Sequence, residues 1–135
     1  MTDPGLIIRI LPESFAVSRL GAGAPVPAWA SGGSLVSITR TRDELSIVSD
    51  ESLVPEGVTG EPGWRCLKVE GPLDFSLVGI LVSILTPLAE AGISIFTVST
   101  YDTDYVLVKS GDLDKAVTAL ERSGHRILKG RGREK

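Results

Sequence analysis

The chain has 135 residues, enough for one domain or two very small ones around a real apolar core. With 42% hydrophobic and 23% charged residues it has the make-up of a globular protein, and 14 basic against 17 acidic residues leave a net charge of −3. That balance offers no basic footprint for nucleic acid, and a lone cysteine, Cys66, excludes an intramolecular disulfide framework and a cysteine-rich zinc site.

The opening MTDPGLIIRIL carries an acid near its front and only a short apolar run, which argues against a secretory signal. LIIRIL reads as a short apolar strand and SFAVSRL as a second. GAGAPVPAWASGG is a loop, because its glycines and prolines deny it both helix and regular ladder. SLVSITRT and ELSIVSD follow as strands joined by a tight hairpin at Arg42 and Asp43, with apolar residues alternating with Ser and Thr. The Gly- and Pro-rich PEGVTGEPGW marks a boundary between a strand-rich N-terminal half, residues 1–60, and a C-terminal domain, residues 61–129.

After the boundary the pattern is βαββαβ. WRCLKVEG is a strand. PLDFSLVGILVSILTPLAEAG is a helix, with Asp74 or Ser76 as N-cap, Gly92 at its C-terminal end and Pro87 loosening its last turns. ISIFTVST and DYVLVK form a hairpin. DLDKAVTALERSG is a second helix, opened by Asp112 and closed by Gly124, with Leu113, Ala116, Val117 and Leu120 on one stripe. HRIL is the closing strand, and residues 130–135 are expected to form a flexible tail. This order is the split βαβ arrangement: an α+β, ferredoxin-like antiparallel sheet with both helices on one face. The longest apolar stretch, residues 77–85, is about half of what a membrane span needs.

Two stretches invite a chemical reading. In STYDTDYVLV, residues 99–108, the bland reading is a polar turn in which Asp bonds nearby backbone amides. The alternative is that Ser99, Thr100, Tyr101, Asp102, Thr103 and Asp104, crowded at a strand end, hold an ammonium or guanidinium group. Gly79 falls in the first turn of the long helix, where glycine costs roughly 1 kcal/mol relative to alanine. Either it lets the helix lie close on the sheet, or it leaves room for a ligand carboxylate at the helix N-terminus.

Other motifs are weak. The glycines of GAG at residues 21–23 lack the rest of a dinucleotide loop, and no GxxxxGK[ST] or GxSxG stretch occurs. His125 opens the last strand without a neighbouring cysteine and reads as structural or solvated. Cys66 reads as a small buried hydrophobe, and Trp29 and Trp64 as core or interface anchors. A ferredoxin-like sheet can also bind RNA, but such modules need aromatics on central strands among Lys and Arg, which these strands lack.

The run GPLDFSLVGILVSILTPLAEAGISIFTVSTYDTDYVLVKSGDLDKAV resembles an ACT domain, the small βαββαβ module that binds amino acids and regulates metabolic enzymes. More closely, it is similar to stand-alone bacterial ACT proteins related to the cytosolic arginine sensors of animals. FAVSRL, PAWA and LVSITRTRDELSIVSD resemble the paired N-terminal ACT-like half of that group. The resemblance implies an amino acid held between two ACT modules. One contributes Gly79, Ile80, Thr100, Tyr101 and Asp104; the other contributes Ser94 and Ile95. With one strongly matching module per chain, the two sets meet across a homodimer or within a rearranged pair of halves.

The function expected on this basis is non-catalytic, regulatory binding of an amino acid, coupled to assembly as a homo-oligomer, a dimer, or to a regulated protein partner. Neither catalytic residues, metal nor cofactor is expected, and neither nucleic acid nor membrane as partner; the expected location is cytoplasmic. The alternative is a structural dimerisation module without ligand.

Overall fold

A computed structural model describes residues 5–70 and 79–129. The Asp74 and Ser76 caps and the tail at 130–135 lie outside the described residues. In chain order the elements are β1 (Ile7–Leu20), β2 (Ser37–Arg40), β3 (Leu45–Asp50), β4 (Gly60–Val69), α1 (Ile80–Glu90), β5 (Ile95–Ser99), β6 (Asp104–Lys109), α2 (Leu113–Arg122) and β7 (Arg126–Lys129). LIIRIL and SFAVSRL, expected as separate strands, form the single strand β1 of 14 residues, with Pro12 exposed near its middle. The residues divide into two compact units, one of Glu13–Trp64 and the other of Met1–Pro12 with Arg65–Lys135. β1 and β4 each contribute one part to each unit.

In the unit of Glu13–Trp64 the strands run in the order β2, β3, β1, β4. β1 is antiparallel to β3 from Phe15↔Asp50 to Leu20↔Leu45, and β3 is antiparallel to β2 from Ser37↔Val48 to Arg40↔Leu45. The β2–β3 turn lies where Arg42 and Asp43 suggested, closed by Thr41 N–H donating to the Glu44 carbonyl at 2.9 Å. Ala30, Leu45 and Ile47 form one buried cluster of this unit, with Trp29 and Val36 packed against them. Gly60 is required by contact rather than conformation, since a Cβ there would overlap the Val17 carbonyl oxygen.

In the other unit the order is β7, β1, β4, β6, β5. β5 and β6 are antiparallel from Ile95↔Val108 to Ser99↔Asp104. β1 and β4 run in opposite directions, since Glu70 N–H donates to the Ile7 carbonyl and Arg19 N–H to the Thr59 carbonyl, each at 2.9 Å. β7 is parallel to β1, from Ile7↔Arg126 to Ile10↔Lys129. The βαββαβ elements are therefore joined by a strand from the beginning of the chain, which separates β7 from β4. Local patterning could not announce this, because the pairing partner of HRIL lies more than a hundred residues away in sequence.

The helices α1 and α2 touch each other and cover one face of this sheet. Ile84 and Leu88, four residues apart on α1, and Ala116 and Leu120, four apart on α2, are buried on Ile8, Ile10, Leu67, Val69, Val106 and Val108. That spacing puts one apolar stripe of each helix on the sheet, and truncating any one of the buried Leu or Ile side chains to Ala costs about 2–5 kcal/mol. The class is α+β and ferredoxin-like, with both helices on one sheet face, as expected. Among the described residues no helix is long and apolar enough to cross a membrane.

Candidate functional site

The β5–β6 hairpin is fixed from inside its own turn. Thr100 N–H donates to the Thr103 carbonyl at 2.9 Å, and Thr103 N–H donates back to Thr100 Oγ1 at 3.3 Å. Ser99 and Asp104 face each other across the first pair of the ladder, and Ser99 Oγ donates to Asp104 Oδ1 at 2.6 Å. This is a charge-assisted bond that occupies one carboxylate oxygen and leaves the other, Oδ2, for a further donor. Strand alternation sets Ser99 and Asp104 on the same sheet face as Val106, Val108 and Ile95, the face the helices cover.

Long-range bonds bring the hairpin to the end of the sheet where α1 begins. The Thr103 hydroxyl, only 5% exposed, donates to the Val69 carbonyl at 2.6 Å, at the point where β4 ends. His125, just before β7, accepts from Leu6 N–H at Nδ1 (3.1 Å), and its Nε2 lies 3.0 Å from the Ser83 carbonyl in the first turn of α1. The acceptor role of Nδ1 assigns the proton to Nε2, so a neutral imidazole ties β1 and α1 together. His125 is thus structural, as its position in the sequence suggested. Leu6, Glu70, Thr103, His125 and the start of α1 consequently share one end of the unit.

At that start Gly79 is the N-cap, with φ 83° and ψ 7°. The expectation that it lies within the first helical turn is corrected: α1 begins one residue later, at Ile80. Close packing on the sheet is not its reason, because a Cβ at Gly79 would meet none of the described residues within 4 Å. The left-handed backbone is the reason, since a Cβ in that region costs roughly 1–2 kcal/mol. Gly79 has no side chain to cap α1 and the first turn carries no acid, so among the described residues the first amides of α1 have neither an intrahelical acceptor nor a capping side chain.

The residues singled out from the sequence fall into two groups. Gly79, Ile80, Thr100, Tyr101 and Asp104 stand at the end just described. Asp104 is half-buried, whereas Tyr101 is 81% exposed. Ser94 immediately precedes β5 and Ile95 opens it, five and four residues before Ser99, or roughly 13 Å or more along an extended strand. One unit therefore does not bring both groups to one point. The sequence counts Ser99 and Thr103 in the crowded turn but not in the ligand set that the resemblance implies: Ser99 orients Asp104, and Thr103 anchors the turn. Their signal was the crowding of hydroxyls around the two aspartates. Among the described residues no group of three or more His, Cys, Asp or Glu side chains is placed to hold a metal ion.

Comparison with known proteins agrees with this architecture. A protein from Agrobacterium tumefaciens, solved by X-ray crystallography, is 44% identical with a TM-score of 0.90, over 98% of this chain and 99% of that one. The cytosolic arginine sensor for mTORC1 subunit 1 of Bos taurus is 31% identical over 97 residues, which are 64% of this chain and 30% of the sensor. This chain spans 30% or less of the length of the bovine and human sensors. Aspartate kinase of Clostridium acetobutylicum shares the fold, with a TM-score of 0.65 at 16% identity over 93% of this chain and 36% of that one. A family model described as an N-terminal domain matches residues 13–57, and one described as an ACT domain matches residues 59–122. The latter span holds α1, the β5–β6 hairpin and α2, so the elements that position the candidate site are those of the stretch that matches an ACT domain.

Proposed function

We propose that this protein is a non-catalytic regulatory protein of the cytoplasm that binds an amino acid between two ACT modules. The observation that carries the reading is Asp104, held by Ser99, at the same end of the helix-covered sheet as the start of α1, whose N-cap Gly79 has no side chain. Asp104 Oδ2 accepts from the ligand ammonium or a cationic side chain, and the first amides of α1 receive its carboxylate. Tyr101 closes over the ligand from the turn. Ser94 and Ile95, at the opposite end of β5, serve the site of a second copy, so the binding unit is a homodimer. The name of the bovine relative, an arginine sensor, supports an amino acid as ligand.

Ligand bound only by the associated state stabilises that state, by about 2.7 kcal/mol at a hundredfold excess over Kd. Titration calorimetry against the twenty amino acids, with light scattering to follow size, tests this. One amino acid is expected to give saturable heat and a larger particle, and Asp104→Asn to lose both; no heat and no melting shift with any of them overturns it. A second reading, dimerisation without a ligand, is favoured by the exposure of Val82 on α1 and Tyr101 on the hairpin. It predicts a dimer in the absence of amino acids that Asp104→Asn leaves intact.

A further inference from the structure

A separate cavity of about 420 Å³ lies beneath the first turns of α2 and is lined by Ile10, Arg65, Leu113, Asp114, Val117, Thr118 and Lys129. Its make-up follows from strand alternation. Ile8 and Ile10 on β1, Leu67 and Val69 on β4, and Ile127 on β7 belong to the core beneath the helices. Two residues along each of two strands, on the same face, the apolar series gives way to Arg65 and Lys129. The sheet thus continues the core layer with two cations, while Leu113 and Val117 on α2 continue its apolar side.

The cations are incompletely answered among the described residues. The Arg65 guanidinium donates through Nη2 to the Leu11 carbonyl at 3.1 Å, while its Nε is buried and meets no acceptor among the described residues. Buried N–H groups are nearly always paired, and a guanidinium presents its donors as a fork matched to a carboxylate. Lys129 and Asp114 take no part in an ion pair among the described residues. Two cations stand against the one acid of the lining, and the α2 N-terminus adds partial positive charge without a side-chain cap. The volume lies within the range of roughly 300–1,000 Å³ usual for small-molecule sites.

We propose that this cavity binds a small aliphatic carboxylate, its head group on Arg65 and Lys129 and its apolar body on Ile10, Leu113 and Val117. The site uses none of the residues assigned to amino-acid binding above, so either stands if the other fails. Hexanoate is the probe, titrated into the full chain at fixed ionic strength and followed by the amide resonances of residues 113–118 and the Arg65 Nε–H. Saturable shifts there are expected, with no effect from hexylamine. Arg65→Gln is expected to weaken binding roughly tenfold or more, and Arg65→Lys, which keeps the charge without the fork, by a smaller factor. Lys129→Gln, at an exposed position, gives an independent loss if Arg65 variants fold poorly. The proposal is overturned if hexanoate does not saturate, if its shifts map away from α2, or if Lys129→Gln and the folded Arg65 variant bind it like the parent. Inorganic phosphate binding as tightly as hexanoate overturns the role given to the apolar lining.

Discussion

Buried in a turn of otherwise exposed polar groups, the Thr103 hydroxyl donates to a main-chain carbonyl of β4 across 34 residues of sequence. Thr103→Val keeps the shape, removes the donor and leaves the Val69 carbonyl oxygen buried without it. A loss of about 1–3 kcal/mol in chemical denaturation is expected, with Thr103→Ser retaining most of the stability. Tyr105, next to Asp104 and half-buried, answers to pH instead. Burial pushes its phenol pKa above the usual value, and the charges that Cys66, Asp102 and Glu70 carry once ionised push it the same way. The folded chain therefore holds the phenol proton more tightly than the unfolded chain does. Its contribution is intact below a pH of about 10 and is lost as the pH rises through the folded-state value. Tyr105→Phe is accordingly expected to melt like the parent near neutrality and to lose less stability than the parent in alkaline melts.

At the scale of elements, His125 joins the start of β1 to the first turn of α1, and both ring nitrogens are engaged. His125→Phe fills similar space but leaves the Leu6 N–H and the Ser83 carbonyl without this partner, a loss of about 2–4 kcal/mol for two partly buried groups. Amide exchange is expected to speed up at Leu6 and in the first turn of α1, while the far end of α2 keeps its protection. The contrast between this histidine and the helices marks what the sequence could reveal. α2 announced itself through Leu113, Ala116, Val117 and Leu120 at helical spacing, and the β5–β6 hairpin through β-branched runs on either side of polar residues. Those signals are local. The joining of β5–β6 to β4, and of β7 to β1, is made by strand pairing distant in sequence, and the bonds that Thr103 and His125 add there reach partners 34 and 119 residues away. A lone histidine or threonine carries no sequence mark of such a partner. For the candidate site, Gly79 and Asp104 were legible from their chemistry. That Gly79 caps α1 in a left-handed conformation, rather than making room on the sheet, required coordinates.

On the scale of the whole molecule, the chain's first strand determines whether its last can fold. β1 carries Ile8 and Ile10 into the core beneath the helices and provides the ladder on which β7 lies. A fragment of residues 61–135 has every element of the βαββαβ pattern, yet it leaves β7 without this partner and opens the core on the side of Leu67 and Ile127. Losing Ile8 and Ile10 as side chains alone costs about 2–5 kcal/mol each by the measure of truncation to alanine. That sum is comparable with the entire stability of a small domain, about 5–15 kcal/mol, before the lost backbone pairing is counted. The fragment is therefore expected to show no cooperative thermal transition and a poorly dispersed amide spectrum. Adding a synthetic peptide of residues 5–20 is expected to restore dispersion to β7 and to the face of α2 that carries Ala116 and Leu120. A sharp melt and a dispersed spectrum for the fragment alone would instead mean that β7 has found β4 directly, with β1 an addition to the ACT fold rather than part of its frame.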